Sequence, residues 1–252
     1  MDRYSPIELG NRIAEIVNRD KSERKYYRIG RSGRWYGGIA TSDCCGCNLK
    51  CLFCWSNKPR DFPEEIGNYY SPEEICDSLV NCARKNHYPR IRISGNEPTL
   101  GKDHLLSILE TTMETGLRFI LETNGILIDH NFAQALGRFR HLHVRVSLKG
   151  TDEEEFEILT GAYPKFFQYQ LYGLENLTAN GIKCHAAVML SFTTKEKVIK
   201  LIERLSKINP QLGNELEEEY VLLYPHVRER LKKAGLEPLV AYEPNQIPKK
   251  LV

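Results

Sequence analysis

Hydrophobic spacing constrains this chain most strongly. Runs with period-two or near-continuous apolar character occur at "WYGGIAT", "PRIRISG", "LRFILETNG", "HLHVRVSLKG", "KCHAAVML" and "EEYVLLY", beginning near residues 36, 89, 117, 143, 183 and 217. These read as strands. Helical spacing fills the intervals. "SPEEICDSLVNCARKN" has a Ser N-cap, Pro at the first helical position and Glu in the first turn. "KDHLLSILETTMETG" ends at Gly116. "DHNFAQALGRF", "TKEKVIKLIERLSKI" and "HVRERLKKAG" follow the same pattern, and the region from Thr151 to Asn180 reads as helix broken near Gly161 and Pro164. Strands alternating with helices imply parallel strands joined by crossovers. About six such units are too few for a closed eight-fold barrel. The expected fold is therefore α/β: a partial (β/α)6 TIM-like barrel of parallel strands. An amphipathic helix from Ser5 to about Asn18, with Ile7, Leu9, Ile13, Ile16 and Val17 at helical spacing, forms an N-terminal helical extension. The expected layout is a single domain over 1–252, with the extension at 1–34, the core at 35–226 and a C-terminal helix and tail at 227–252.

Composition sets the outer limits. With 41% hydrophobic and 27% charged residues, the chain can bury a sizeable core. A net charge of +2 gives no global argument for nucleic acid or membrane binding. The N-terminus has no apolar signal segment, and no run of about eighteen apolar residues could span a membrane. A cytoplasmic location is the expectation, and there a thiol cluster holds metal more readily than it forms disulfides. The stretch "RDKSERKYYRIGRSGRWYGG" interleaves Lys and Arg with Tyr26, Tyr27, Trp35 and Tyr36. It reads as a solvated loop, or as a site lip that meets an anionic or aromatic partner.

Five of the eight cysteines fall between Cys44 and Cys54. Cys47, Cys51 and Cys54 are spaced C-x₃-C-x₂-C, so a loop can curl to bring three thiolates together. Soft thiolates select zinc, Cu(I) or iron–sulfur clusters. Structural zinc needs a fourth protein ligand, which Cys44 or Cys45 would have to supply. Iron–sulfur cubes usually take four Cys, and three leave one iron open. The triad follows the first strand, and parallel α/β sheets do their chemistry at the carboxyl ends of strands. Cys76, Cys82 and Cys184 sit in periodic segments and read as ordinary core or surface residues.

Several of these strand-end segments resemble those of one enzyme superfamily. "CNLKCLFC" resembles the cluster motif of radical S-adenosylmethionine (SAM) enzymes, and Phe53 matches the aromatic residue usual before the third Cys. "SGNEPTL" resembles their "GGEP" segment, which contacts the amino group of SAM; Gly95, Glu97 and Pro98 match, and Asn96 replaces the second Gly. "ETNG" resembles the "TNG" segment near the methionyl carboxylate. "SLKG" resembles the "DLK" of pyruvate formate-lyase-activating enzymes, with Lys149 matched and Ser147 in place of Asp. "LLYPH", ending at His226, resembles their "LLPYH". The matches run in order over about residues 36 to 226.

The resemblance implies that Cys47, Cys51 and Cys54 hold a [4Fe–4S] cluster whose open iron chelates the amino and carboxylate groups of SAM. An electron from an external donor, such as ferredoxin or flavodoxin, would cleave SAM to methionine and a 5′-deoxyadenosyl radical that abstracts hydrogen from a substrate. It also implies cofactor contacts from Phe53, Gly95, Asn96, Glu97, Glu122, Thr123, Asn124, Ser147, Lys149 and His226. Glu97 is suited to an ammonium and Lys149 to a carboxylate. Ser147 and Lys149 share one face of the fourth strand. His141 and His143 also sit there and read as satisfied, non-catalytic groups.

The nearest likeness is to the activating-enzyme branch, which installs a glycyl radical in a partner protein. "FCW", "SGNEPT" and "TNGIL" also resemble tRNA-modifying enzymes of the wyosine type, and the basic stretch from Arg19 to Arg34 would suit RNA. That branch carries an additional N-terminal cysteine set, whereas residues 1–43 contain no Cys. A non-enzymatic zinc-binding interaction module is the alternative of another class. The motifs leave protein, RNA and small-molecule substrates open.

Overall fold

The computed structural model describes residues 3–20, 22–248 and 251. Lys21, part of the basic stretch, lies outside the described residues, as do Met1, Asp2, Lys249, Lys250 and Val252. Six parallel strands form the frame: Ile39–Cys44, Arg90–Ser94, Arg118–Thr123, Leu142–Leu148, Cys184–Met189 and Glu217–Glu219, adjacent in chain order. The Glu217–Glu219 strand ends the order without pairing back to the first, so the barrel is open.

Register explains why the sheet holds. Ile91 pairs with Phe119, Leu121 with Val144, and Val146 with Ala186, and all six are completely buried. The crossover helices seal the outer face. Pro72–Lys85 starts with a capping box between Ser71 and Glu74 and buries Ile75, Leu79 and Ala83. A fully buried leucine such as Leu79 contributes about 1.5–3 kcal/mol. The break expected near Gly161 is present: Gly161 adopts φ 73°, capping Glu153–Thr160, and the chain resumes as Phe166–Ala179.

The N-terminal extension differs from expectation. After the helix Pro6–Val17, the basic stretch is no loop but an eleven-residue strand, Glu23–Gly33, antiparallel to Ile39–Cys44. It also pairs with Asn18–Arg19 and with Asn68–Tyr70, which meet Arg24 on opposite edges. Arg24, Lys25 and Tyr26 are buried, and apart from Arg24 Nε their polar ends find partners. Arg24 Nη2 donates to Cys45 O (3.0 Å) and Glu97 O (2.8 Å), and Lys25 Nζ donates to Pro63 O (2.9 Å) and Glu64 O (2.8 Å). Tyr26 Oη meets His104 Nε2 at 3.0 Å. These side chains are therefore closed to RNA.

Two strand boundaries also move. Trp35–Gly37 is a short 3-10 turn, so the first parallel strand begins at Ile39. "EEYVLLY" divides into Glu217–Glu219 in the main sheet and Val221–Leu222, which pairs with Ala241–Tyr242. His141 and His143 are satisfied, at Thr112 Oγ1 (3.0 Å) and His185 Nδ1 (2.7 Å). No helix among the described residues is long and apolar enough to cross a membrane.

Candidate active site

The loop after the first strand turns at Gly46, whose φ is 79° and whose Cβ, if present, would lie 2.6 Å from Ile13 Cγ2. Backbone bonds fix its path: Gly46 N to Pro59 O (2.9 Å), Leu52 N to Leu159 O (2.9 Å) and Glu97 N to Gly46 O (3.0 Å). Cys47, Cys51 and Cys54 line one cavity of about 590 Å³, a size suited to a cofactor-scale ligand. Cys44 and Cys45 do not line it; the Cys45 thiol donates to Ile66 O at 3.4 Å.

Burial pushes the Cys47 thiol well above its ordinary range. It pushes Cys51 up to about 11, although Lys149 and Arg60 pull the other way. Such thiols stay protonated until a metal displaces the proton. Two arginines flank the loop: Arg60 Nη1 donates to Cys51 O at 2.6 Å, and Arg230 Nη2 donates to Cys54 O. Their charge offsets that of a thiolate-bound cluster. No group of three His, Cys, Asp or Glu among the described residues is arranged to hold a single metal ion. Three thiols line the cavity without Cys44 or Cys45, which is the ligand count of a cube with one open iron and one short of a structural zinc site. The donor set fits a [4Fe–4S] cluster.

The strand-end residues surround the same space. Phe53, Gly95, Asn96, Glu97, Glu122, Thr123, Asn124, Ser147 and Lys149 all line the cavity. Gly95 has φ 100°, and a Cβ there would sit 2.8 Å from Asp43 Cβ, so only glycine lets the turn close. Glu97 is buried, and its Oε1 accepts from Thr99 N (3.1 Å), Thr99 Oγ1 (2.7 Å) and Thr123 Oγ1 (2.6 Å). Its Oε2 accepts from Asn124 N at 2.8 Å. Asn96 Nδ2 donates to Cys44 O (2.8 Å), while its buried Oδ1 has no partner, as befits a group that awaits a ligand donor. Asn124 Nδ2 ties to Asn48 Oδ1 at 2.6 Å. His226 stands apart: it does not line the cavity, and its Nε2 meets Trp55 O at 2.8 Å.

Beneath these residues lies an ionic floor that motif reading missed. Arg145 Nη2 bonds Glu217 Oε1 (2.7 Å) and Glu219 Oε1 (3.0 Å), and Arg92 Nη1 bonds Glu122 Oε1 (2.8 Å). Ser147 Oγ donates to Glu219 Oε2 at 2.5 Å, and Lys149 Nζ donates to Ser147 Oγ. Burial alone would raise the Glu217 carboxyl, but the His185 hydrogen bond and Arg145 outweigh it and hold it at about 2. Strand alternation could have found Arg145, two residues before Ser147 on the same face. No sequence signal marks Arg24, Arg60 or Arg230.

The sequence profile of the radical SAM superfamily matches residues 42–205. The chain belongs to the radical SAM superfamily. Its cofactors are accordingly a [4Fe–4S] cluster and SAM, and the zinc-module alternative falls. The chain is similar to the Fe-coproporphyrin III synthase of Methanosarcina barkeri, 34% identical over 180 residues, 69% of this chain and 39% of that protein. It is 28% identical over 200 residues to a probable GTP 3′,8-cyclase of Methanosarcina mazei, covering 72% of this chain and 58% of that protein. It thus spans roughly two to three fifths of the length of these curated relatives. Neither name is that of a glycyl-radical activating enzyme or a wyosine enzyme. The fold matches anSMEcpe with bound AdoMet, with a TM-score of 0.54 at 20% identity over 70% of this chain and 47% of that one.

Proposed function

We propose that this protein is a radical SAM enzyme that abstracts hydrogen from a small organic substrate held over the ionic floor of its cavity. The observation that carries this reading is one cavity lined by the three thiols and by Arg145, Lys149, Glu217 and Glu219. An interior built from ion pairs receives a polar molecule, where an ordinary barrel interior is filled with apolar side chains. The names of the two relatives, which refer to coproporphyrin and GTP, support a small molecule, whereas the solved neighbour SuiB binds a precursor peptide. Burial of Lys25 and Tyr26 takes two of the residues that the RNA reading relied on out of the surface.

In this reading Cys47, Cys51 and Cys54 hold the cluster. When bound, the cluster and SAM supply a one-electron cleavage that yields methionine and a 5′-deoxyadenosyl radical. Glu97 accepts the ammonium of SAM on its less crowded oxygen, Oε2, and Asn124 holds that carboxylate in place through its backbone N–H. Arg24, bonded to both Cys45 O and Glu97 O, fixes the spacing between the thiol loop and the SAM loop. Ser147 and Lys149 offer a hydroxyl and an ammonium to carboxylate or ribose oxygens. The electron comes from a separate ferredoxin- or flavodoxin-type protein. Metal analysis of anaerobically purified protein tests the foundation: about four irons per chain are expected, and one zinc without iron would overturn the assignment. A panel of small organic acids, nucleotides, peptides and tRNA, scored for substrate-dependent 5′-deoxyadenosine, tests the class; stimulation by tRNA or protein alone would refute it.

A further inference from the structure

Arg28 and Arg31 lie three residues apart on the Glu23–Gly33 strand, so a regular strand would send them to opposite faces. They reach one carboxylate instead. Asp43, whose side chain is fully buried, pairs with Arg28, whose Nε lies 2.8 Å from Oδ2, and accepts from Arg31 at 2.5 Å (Nε) and 3.0 Å (Nη2). A β-bulge is the cause. Arg28 pairs with Asp43 and Arg31 with Thr41, so three steps on one strand oppose two on its neighbour. Gly30 takes up the extra residue at φ 53°, and a Cβ there would lie 2.6 Å from Ser78 O. Bulges beside functional sites re-aim side chains in this way.

The result is two guanidiniums on one carboxylate, which leaves one net positive charge. The Nη1 of each has no partner among the described residues. Both side chains line the cavity that holds the thiols. Of the other arginines there, Arg92 answers to Glu122, Arg145 to Glu217 and Glu219, and Arg60 to Asp61, while Arg34 Nη2 donates to Pro244 O at 3.2 Å. Arg28 lies over the rings of Tyr27 and Trp55, 4.9 and 5.5 Å from their centroids. The pair stands on the opposite side of the Ile39–Cys44 strand from Glu97, Thr123 and Asn124.

We propose that the Arg28–Arg31 pair anchors a carboxylate of the substrate, with an aromatic or apolar part of the same molecule packed on Trp55. This rests on the radical SAM reading of the cavity and narrows its substrate to an organic carboxylic acid. A planar carboxylate matches the forked donors, and as a monoanion it balances the one positive charge that Arg28, Arg31 and Asp43 leave between them.

Calorimetric titration of the cluster-loaded, SAM-bound protein with phenylacetate, inorganic phosphate and total tRNA tests it. Trp35 and Trp55, the only two tryptophans, both line this cavity, so tryptophan fluorescence gives a second readout. Phenylacetate should bind the wild type and perturb its fluorescence. Arg28→Gln, at a position whose side chain is 43% exposed, should fold normally, keep its cluster and SAM affinity, and bind phenylacetate about tenfold or more weakly. Arg28→Lys should lose less. No binding by the wild type, equal binding by wild type and Arg28→Gln, tighter binding of phosphate, or salt-steep tRNA binding lost in Arg28→Gln would each overturn the proposal. A wild type that holds neither cluster nor SAM would instead overturn the reading on which it rests.

Discussion

Glu97→Gln is the most informative single change, because the structure specifies what the carboxylate does. A carboxylate offers about four lone-pair sites, two on each oxygen. Here Oε1 takes three donors and Oε2 takes one, so the open acceptor position is on Oε2. An amide cannot reproduce this. With its nitrogen at the Oε2 position it faces the Asn124 N–H, donor against donor; turned over, it faces Thr99 N and the two threonine hydroxyls. One orphaned buried amide costs about 1–3 kcal/mol. At about 2–4 °C per kcal/mol for a chain of this size, the melting temperature should fall by about 2–12 °C. The same change removes a charge-assisted bond to the SAM ammonium, worth about 1.5–3 kcal/mol, or about 10- to 150-fold in affinity. Thermal unfolding and SAM titration calorimetry on the cluster-loaded variant read the two effects separately. A variant with wild-type melting and wild-type SAM affinity would refute both the hydrogen-bond account and the ammonium assignment. Lower stability with unchanged SAM affinity would leave Glu97 as a structural brace only.

Alanine at Cys47, Cys51 or Cys54 should abolish the visible cluster absorbance and bound iron, while alanine at Cys76 or Cys184 should leave both; iron analysis after anaerobic reconstitution decides. Arg60→Met should leave Cys51 O without its buried donor and speed loss of the cluster to a chelator, at a stability cost of about 1–3 kcal/mol. Burial holds His104 down at about 4. The unfolded imidazole, near ~6.5, therefore binds the proton first as pH falls, and stability should drop between about pH 6.5 and 4, by about 2 kcal/mol at pH 5. Denaturant titrations should show that slope flattened in His104→Gln.

Much of the frame was legible because six alternations of spacing leave few alternatives, and because strand ends collect the motifs. Gly95, Glu97 and Asn124 were visible as short polar segments after strands, and they converge on the thiols. His226 does not line the cavity, and its ring meets Trp55 O at 2.8 Å. The strand Glu23–Gly33 was illegible for a physical reason. Arg24 and Lys25 are buried against carbonyls contributed from Cys45, Pro63, Glu64 and Glu97, distant in sequence, so the composition reads as solvated. The convergence of Arg28 and Arg31 depends on a bulge, which shifts the alternation by one residue and hides the pair from period-two reading. Arg60 and Arg230 act through backbone carbonyls of the cysteine loop, a contact with no signature in local sequence.

The central claim is that three thiols in this cavity support reductive cleavage of SAM. Anaerobic incubation of the cluster-loaded protein with SAM and dithionite, followed by quantification of 5′-deoxyadenosine and methionine, tests it directly. The two products should form in equal amounts with the wild type and vanish with Cys51→Ala. A fully loaded wild-type protein that binds SAM and yields no 5′-deoxyadenosine would contradict the account.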